Sequence, residues 1–132
     1  MAYTMSLPVR FGDCDIVGIG YYPRLLALAD AAIEDWTVAV IGVDRAAMHI
    51  EHRRGMPTVT LETSFTVPCR LGEILDFTID LLRVGRSSID LAVAASVAGE
   101  TRFTGRYVQV LIDTDSGAAA AWPDAWRAAL VD

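Results

Sequence analysis

Asp13 and Asp15 flank Cys14, and a glycine-loosened run then leads through Gly18 and Gly20 into Tyr21, Tyr22 and Pro23. A loop carboxylate can attack an acyl carbon or take a proton from water. Pro23 suits the first turn of a helix. A helix start there places unpaired amides and the positive end of the helix dipole at Tyr22 to Leu25. A carbonyl oxygen held at those amides is stabilised as its charge develops, by a few kcal/mol per donor. Gly18 and Gly20 permit close backbone approach on the way. The run therefore reads as a carboxylate opposite a helix N-terminus. The competing reading is plainer: Asp beside Gly commonly accepts loop amides and shapes a turn. The residues alone favour that plainer turn role for both Asp13 and Asp15 and leave the chemical one open.

The remaining reactive side chains form no second constellation. Cys14 and Cys69 lie far apart, as two reduced thiols would. A nucleophilic Cys14 would need a partner base, and the only histidines are His49 and His52. Their spacing differs from the i, i+4 pair of a zinc-binding helix and no third ligand stands out, so no metal is expected. Both histidines read as exposed polar residues near a loop. Nothing in the spacing of Arg53, Arg54 and Arg70 singles them out.

The whole chain sets limits on partners. Its 132 residues fit one domain, 1–132, large enough to bury a core. A net charge of -6 argues against nucleic acid, which is bound through clustered Lys and Arg. Hydrophobic residues make up 53% and charged ones 21%, more apolar surface than a small monomer easily hides, so self-association is expected. No run of about 18 apolar residues suggests a membrane span, and no signal pattern opens the sequence; a cytoplasmic protein is expected.

Periodicity supplies the elements. Residues 3–11 alternate loosely and read as a strand, with Pro8 at an edge or bulge. From Pro23 to about Val40, apolar residues from Leu25 to Trp36 recur at helical spacing, giving a helix of roughly five turns that Gly42 stops. Asp44 to His49 suggests a further helical turn. After Gly55 the period changes to two, through four segments with turns at Gly72, at Gly85 and in "AGET". The segment after Pro123 suggests a short terminal helix. One strand, one long helix and four consecutive antiparallel strands make an α+β fold, a curved meander wrapped around a helix that must bury its apolar stripe.

The run "FGDCD", followed by Gly, an aromatic pair, Pro and a helix carrying "DAA", resembles the 4-hydroxybenzoyl-CoA thioesterase family of hotdog-fold proteins. The resemblance spans the chain in element order and is sharp over Val9 to Ala32. It implies hydrolysis of an acyl-CoA thioester, aromatic or of medium size, between two subunits of a homodimer or dimer of dimers. Coenzyme A would belong to the substrate, and no cofactor is implied. Carried onto this sequence, the resemblance makes Asp15 the catalytic carboxylate and gives the Tyr22 amide the task of polarising the thioester carbonyl. It places Asp30 against the acyl group, and the turn of Arg86, Ser87 and Ser88 against coenzyme A. Three positions depart from the pattern. Ile16 stands where proline commonly follows the aspartate, Leu25 replaces an aromatic residue, and Tyr22 stands where another branch carries histidine. A hotdog hydratase or dehydratase is a second reading, weakened by the absence of a histidine near Asp15 in sequence. A non-catalytic acyl-CoA-binding protein is a third.

Overall fold

Pro23 and Gly42 bracket the long helix, α1, which spans Tyr22–Ile41 in the computed structural model. The structure describes residues 3–131, so Met1, Ala2 and Asp132 of the expected domain lie outside the described residues. Gly42 takes the left-handed conformation, φ 81°, and its amide closes on the Val38 carbonyl at 2.9 Å. Leu25, Ala29, Ala32, Ile33 and Trp36 form the buried stripe that the spacing predicts. Truncating the fully buried Ile33 to Ala would cost about 2–5 kcal/mol. A second helix, α2, spans Arg45–Ile50 and is capped by Asp44, whose Oδ1 accepts the Ala47 amide at 2.7 Å.

The strands are β1 (Tyr3–Pro8), β2 (Arg54–Gly55), β3 (Thr58–Phe65), β4 (Ile74–Val84), β5 (Ser88–Val97), β6 (Glu100–Val110) and β7 (Ile112–Asp113). Five of them form one antiparallel sheet in the order β1-β4-β5-β6-β3. This corrects the expected four-strand meander. Only β4, β5 and β6 follow one another, while β3 crosses to the far side and pairs with β6, Leu61 opposite Tyr107 and Phe65 opposite Phe103. The first strand is also shorter than expected: it ends at Pro8, and Phe11–Asp13 form a 3-10 turn. The small pair of β2 and β7 was not expected either.

Strand β5 shows the clean alternation of a half-covered sheet, with Ile89, Leu91, Val93 and Ala95 all buried. The tight turn into β6 has Ala98 and Gly99 both at positive φ, 48° and 83°, the two-residue geometry that suits the strand twist. At the C-terminus α3 (Asp124–Val131) buries Trp126 and Leu130. Together the sheet and α1 make the expected α+β hotdog architecture.

The strand pairing defines two ends. At one, Pro8 meets Ile74 and Phe65 meets Phe103; at the other lie Val84, Ser88 and Val110. Helix α1 begins at the first, where the Tyr22 and Phe65 rings meet edge to face at 6.3 Å.

Candidate active site

The loop between β1 and α1 is held by its own polar groups. Asp13 Oδ2 accepts the Arg10 amide at 2.8 Å, and the Asp13 carbonyl accepts the Tyr21 amide at 2.8 Å. Asp15 Oδ1 accepts two amides, from Val17 and Ile19, each at 3.0 Å. Its own amide donates to the Ile19 carbonyl at 2.8 Å. Asp15 is exposed, and its Oδ2 accepts no hydrogen bond among the described residues. One oxygen thus organises the loop, and the other faces outward.

The helix start is more selective than its sequence suggests. The Arg24 and Leu25 amides both donate to the Tyr21 carbonyl, at 2.9 and 3.1 Å, and Pro23 has no N–H. Of the four positions expected to offer unpaired amides, only Tyr22 keeps one without a partner among the described residues. That single donor carries the helix dipole.

Beside it opens a cavity of about 460 Å³, walled by Ile19, Leu25, Phe65, Val67, Pro68 and Cys69, with Tyr21 and Tyr22 at its rim. Gly20 also lines it. A Cβ there would stand 3.0 Å from Leu25 Cδ2 and 3.2 Å from Cys69 Cβ, so the backbone approaches as closely as only glycine allows. The Gly20 amide donates to the Cys69 carbonyl at 2.7 Å, binding the loop to the opposite wall. Burial pushes the Cys69 thiol up from its ordinary pKa, which disfavours its thiolate.

That wall has a support with no signature in the sequence. Arg102, 8% exposed, holds both oxygens of Glu73 at 2.7 Å and donates to the Pro68 carbonyl at 2.8 Å. The hydrogen bonds from Arg102 hold the Glu73 carboxyl below its usual range. The two residues lie 29 positions apart, so no local spacing marks them.

The other expected site residues stand elsewhere in a single chain. Asp30 is exposed on α1, eight residues or about 12 Å beyond Tyr22, and lies outside the cavity wall. Burial first, and the Asp30 charge second, push the Tyr107 phenol up to about 12. Arg86 and Ser87 occupy the turn after β4 and Ser88 opens β5, at the opposite end of the sheet. The ten steps from Ile74 to Val84 put that turn about 30 Å from the loop. There the C-terminal segment secures it: Trp122 donates its amide to the Arg86 carbonyl at 3.1 Å, and Arg127 donates to the Gly85 carbonyl at 2.9 Å. Arg86 and Arg127 line a second cavity of about 480 Å³. The histidines also sit at this far end, His52 against Trp126 at 5.2 Å and His49 against Gly55. Among the described residues, no helix is long and apolar enough to cross a membrane.

Comparison with known proteins identifies the family. Residues 9–130 match the model of the thioesterase-like superfamily, and the chain belongs to that superfamily. A 1,4-dihydroxy-2-naphthoyl-CoA hydrolase of Prochlorococcus marinus (strain MIT 9515) is 31% identical over 72 residues, covering 51% of this chain and 47% of that protein. The chain thus spans about half the length of this curated relative. Among solved structures, a thioesterase-superfamily protein from Jannaschia sp. CCS1 is 28% identical with a TM-score of 0.90, over 98% of this chain and 91% of that one. A 1,4-dihydroxy-2-naphthoyl-CoA thioesterase from Synechocystis has a TM-score of 0.89 at 19% identity, covering 100% of this chain and 97% of that one, a likeness of fold.

Proposed function

We propose that this chain is an acyl-CoA thioesterase of the 4-hydroxybenzoyl-CoA thioesterase type, acting on an aromatic or medium-sized acyl group. The observation that carries this reading is the lone unpaired Tyr22 amide at the mouth of an apolar cavity whose wall, Ile19, is hydrogen-bonded to Asp15. The acyl carbonyl oxygen accepts from the Tyr22 amide, and the charge that develops on it is stabilised there. Asp15 supplies the remaining need in one of two ways. It takes a proton from water, whose oxygen then bonds to the acyl carbon, or its own oxygen forms that bond and a water hydrolyses the resulting anhydride. In both the carbon–sulfur bond breaks and the thiolate leaves, taking its proton from solvent. No cofactor enters, because coenzyme A is part of the substrate. The Prochlorococcus relative is named for an aromatic CoA thioester, which accords with this substrate class.

The turn of Arg86, Ser87 and Ser88 is the proposed coenzyme A contact, and Asp30 the proposed contact to the acyl group. Within one chain that turn is about 30 Å from Asp15, so one thioester can meet both only if a second copy supplies the turn. Strand β3 offers the means: it is an edge strand with Val59 58% and Leu61 44% exposed. The working unit is then a homodimer, or a dimer of dimers. The free thiols Cys14 and Cys69 suit a reducing compartment such as the cytoplasm.

The test is a panel of CoA thioesters assayed with a thiol-trapping reagent. Release of free CoA at enzymatic rates supports hydrolysis. Tight binding of acyl-CoA without release overturns it in favour of a binding protein.

A further inference from the structure

Resting on that reading of Asp15, we infer that Arg102 is a positioning residue for its carboxylate. Through Glu73 and the Pro68 carbonyl it locks residues 68–73, and that stretch fixes the loop that presents Asp15. The carboxylate depends on such help. Asp15 is exposed and its Oδ2 accepts no hydrogen bond among the described residues, so the loop backbone sets its aim. That loop contains Gly18, at φ 78°, and Gly20, and glycines leave an unbraced loop many conformations.

The connection runs through backbone hydrogen bonds. Cys14 faces Gly20 and Ile19 faces Arg70 as antiparallel bridges, so residues 18–20 lie between residues 13–15 and residues 69–71. The Gly20 amide donates to the Cys69 carbonyl at 2.7 Å and the Leu71 amide to the Gly18 carbonyl at 2.9 Å, one on each side of the Ile19–Arg70 rung. Ile19 then holds Asp15 twice. Its amide donates to Asp15 Oδ1 at 3.0 Å, and its carbonyl accepts the Asp15 amide at 2.8 Å. The start of the loop is tied to the same stretch: the Val9 amide donates to the Glu73 carbonyl at 2.8 Å, and the Val9 carbonyl accepts the Gly72 amide at 2.9 Å.

Arg102 anchors this stretch, which connects β3 to β4, at both ends. Its carbonyl accepts the Thr66 amide at 2.9 Å and the Val67 amide at 3.3 Å, and its Nη1 donates to the Pro68 carbonyl at 2.8 Å. Its guanidinium holds both Glu73 oxygens, and Glu73 Oε1 also accepts the Arg70 amide at 2.6 Å, directly opposite Ile19. Lysine would keep the charge and lose the two-pronged geometry.

The experiment measures Arg102→Met, Arg102→Lys and Glu73→Gln with whichever CoA thioester the parent hydrolyses fastest, at a temperature where each variant is fully folded. Misplacing a catalytic group by about 1 Å costs up to about a hundredfold, so Arg102→Met should lose ~10- to 100-fold in kcat with KM within about threefold. Arg102→Lys should recover part of that loss. Glu73→Gln keeps an acceptor for the Arg70 amide and should lose kcat to a smaller degree, which preserves the test should Arg102→Met fail to fold. A purely structural role is separated by a double-mutant cycle: in the Asp15→Asn background, Arg102→Met should lower the residual kcat by less than about twofold, because the carboxylate it aims is gone. Backbone order parameters read the same link without turnover. In Arg102→Met, or in Glu73→Gln, the Ile19 amide should fall from the rigid range near 0.85 toward the flexible range, with Ile33 unchanged. Full kcat in these variants, an equal loss with and without Asp15, or unchanged order at Ile19 overturns the inference and leaves the thioesterase reading standing. Release of CoA from no thioester by the parent, or normal turnover by Asp15→Asn, overturns the role given to Asp15 and the inference with it.

Discussion

Arg102 grips Glu73 with two parallel hydrogen bonds, Nη1 to Oε1 and Nη2 to Oε2, each at 2.7 Å, across 29 residues of sequence. Nη1 also reaches the Pro68 carbonyl, so the pair braces the stretch that forms one wall of the cavity beside Tyr22. A bidentate pair of this kind fixes orientation as well as charge.

Removing the arginine should therefore act on both stability and the site. Arg102→Met leaves a carboxylate with 23% side-chain exposure and only the Arg70 amide, at 2.6 Å, as a partner. A fully buried pair broken on one side costs ~3–5 kcal/mol, and the partial exposure of Glu73 brings the expected loss to about 2–3 kcal/mol. The acid dependence has a definite sign. The Glu73 carboxyl is held below its ordinary range by Arg102, so its contribution is complete above the unfolded-chain value and is lost as pH falls through the lower folded value. Thermal melts of the parent and Glu73→Gln should differ most at neutral pH and converge below about pH 4. A gap that persists unchanged into acid would show that the charge of Glu73 contributes nothing.

The exposed edge of the sheet gives a second expectation. Leu61 faces the same side as the buried Tyr107, yet it is 44% exposed because β3 lies at the sheet edge. If that edge is where two copies meet, Leu61→Lys should shift sedimentation at low micromolar concentration from dimer to monomer and abolish CoA release. A parent chain that sediments as a stable, active monomer would rule out the shared site.

How far the sequence reaches is clear from these residues. Pro23, Gly42 and the stripe of Leu25 to Trp36 locate α1 because capping and periodicity are local. The same holds for the turn at Ala98 and Gly99. Strand neighbours are not local. The alternation of β3 is indistinguishable from that of a strand beside β4, and only the assembled sheet shows it beside β6 with Val59 and Leu61 left uncovered. At the site, the loop and helix start were legible, but the Tyr21 carbonyl capturing two of the expected free amides was not. Arg102 and Glu73 had no motif to betray them.

The turn at the far end tests where coenzyme A is held. Arg86 lines its cavity with Arg127, and the turn that would hold the coenzyme A of a given thioester comes from the second copy, at the end of the substrate away from the reacting carbon. A phosphate contact so far from the chemistry supplies binding that is equal in the ground and transition states. Arg86→Ala should therefore raise KM for the CoA ester several-fold and leave kcat within about twofold. Loss of kcat at unchanged KM would mean the nucleotide lies elsewhere.

The two aspartates separate structure from chemistry. Asp15 uses Oδ1 alone to hold the Val17 and Ile19 amides. Asn at this position keeps an oxygen for both bonds and replaces only the outward-facing oxygen by an amide nitrogen, so the loop should survive while the carboxylate is lost. Asp15→Asn should melt within a degree or two of the parent, bind acyl-CoA normally, and lose roughly a hundredfold or more in kcat, the usual range for removing a general base. Asp13 is the internal control. Its Oδ2 accepts the Arg10 amide at 2.8 Å and its backbone carbonyl, which substitution leaves in place, accepts the Tyr21 amide. Asp13→Asn should therefore cost at most about 1 kcal/mol in stability, the scale of a neutralised cap, with kcat little changed. Near-normal turnover by Asp15→Asn, or a larger loss in a well-folded Asp13→Asn, would move the catalytic carboxylate away from Asp15.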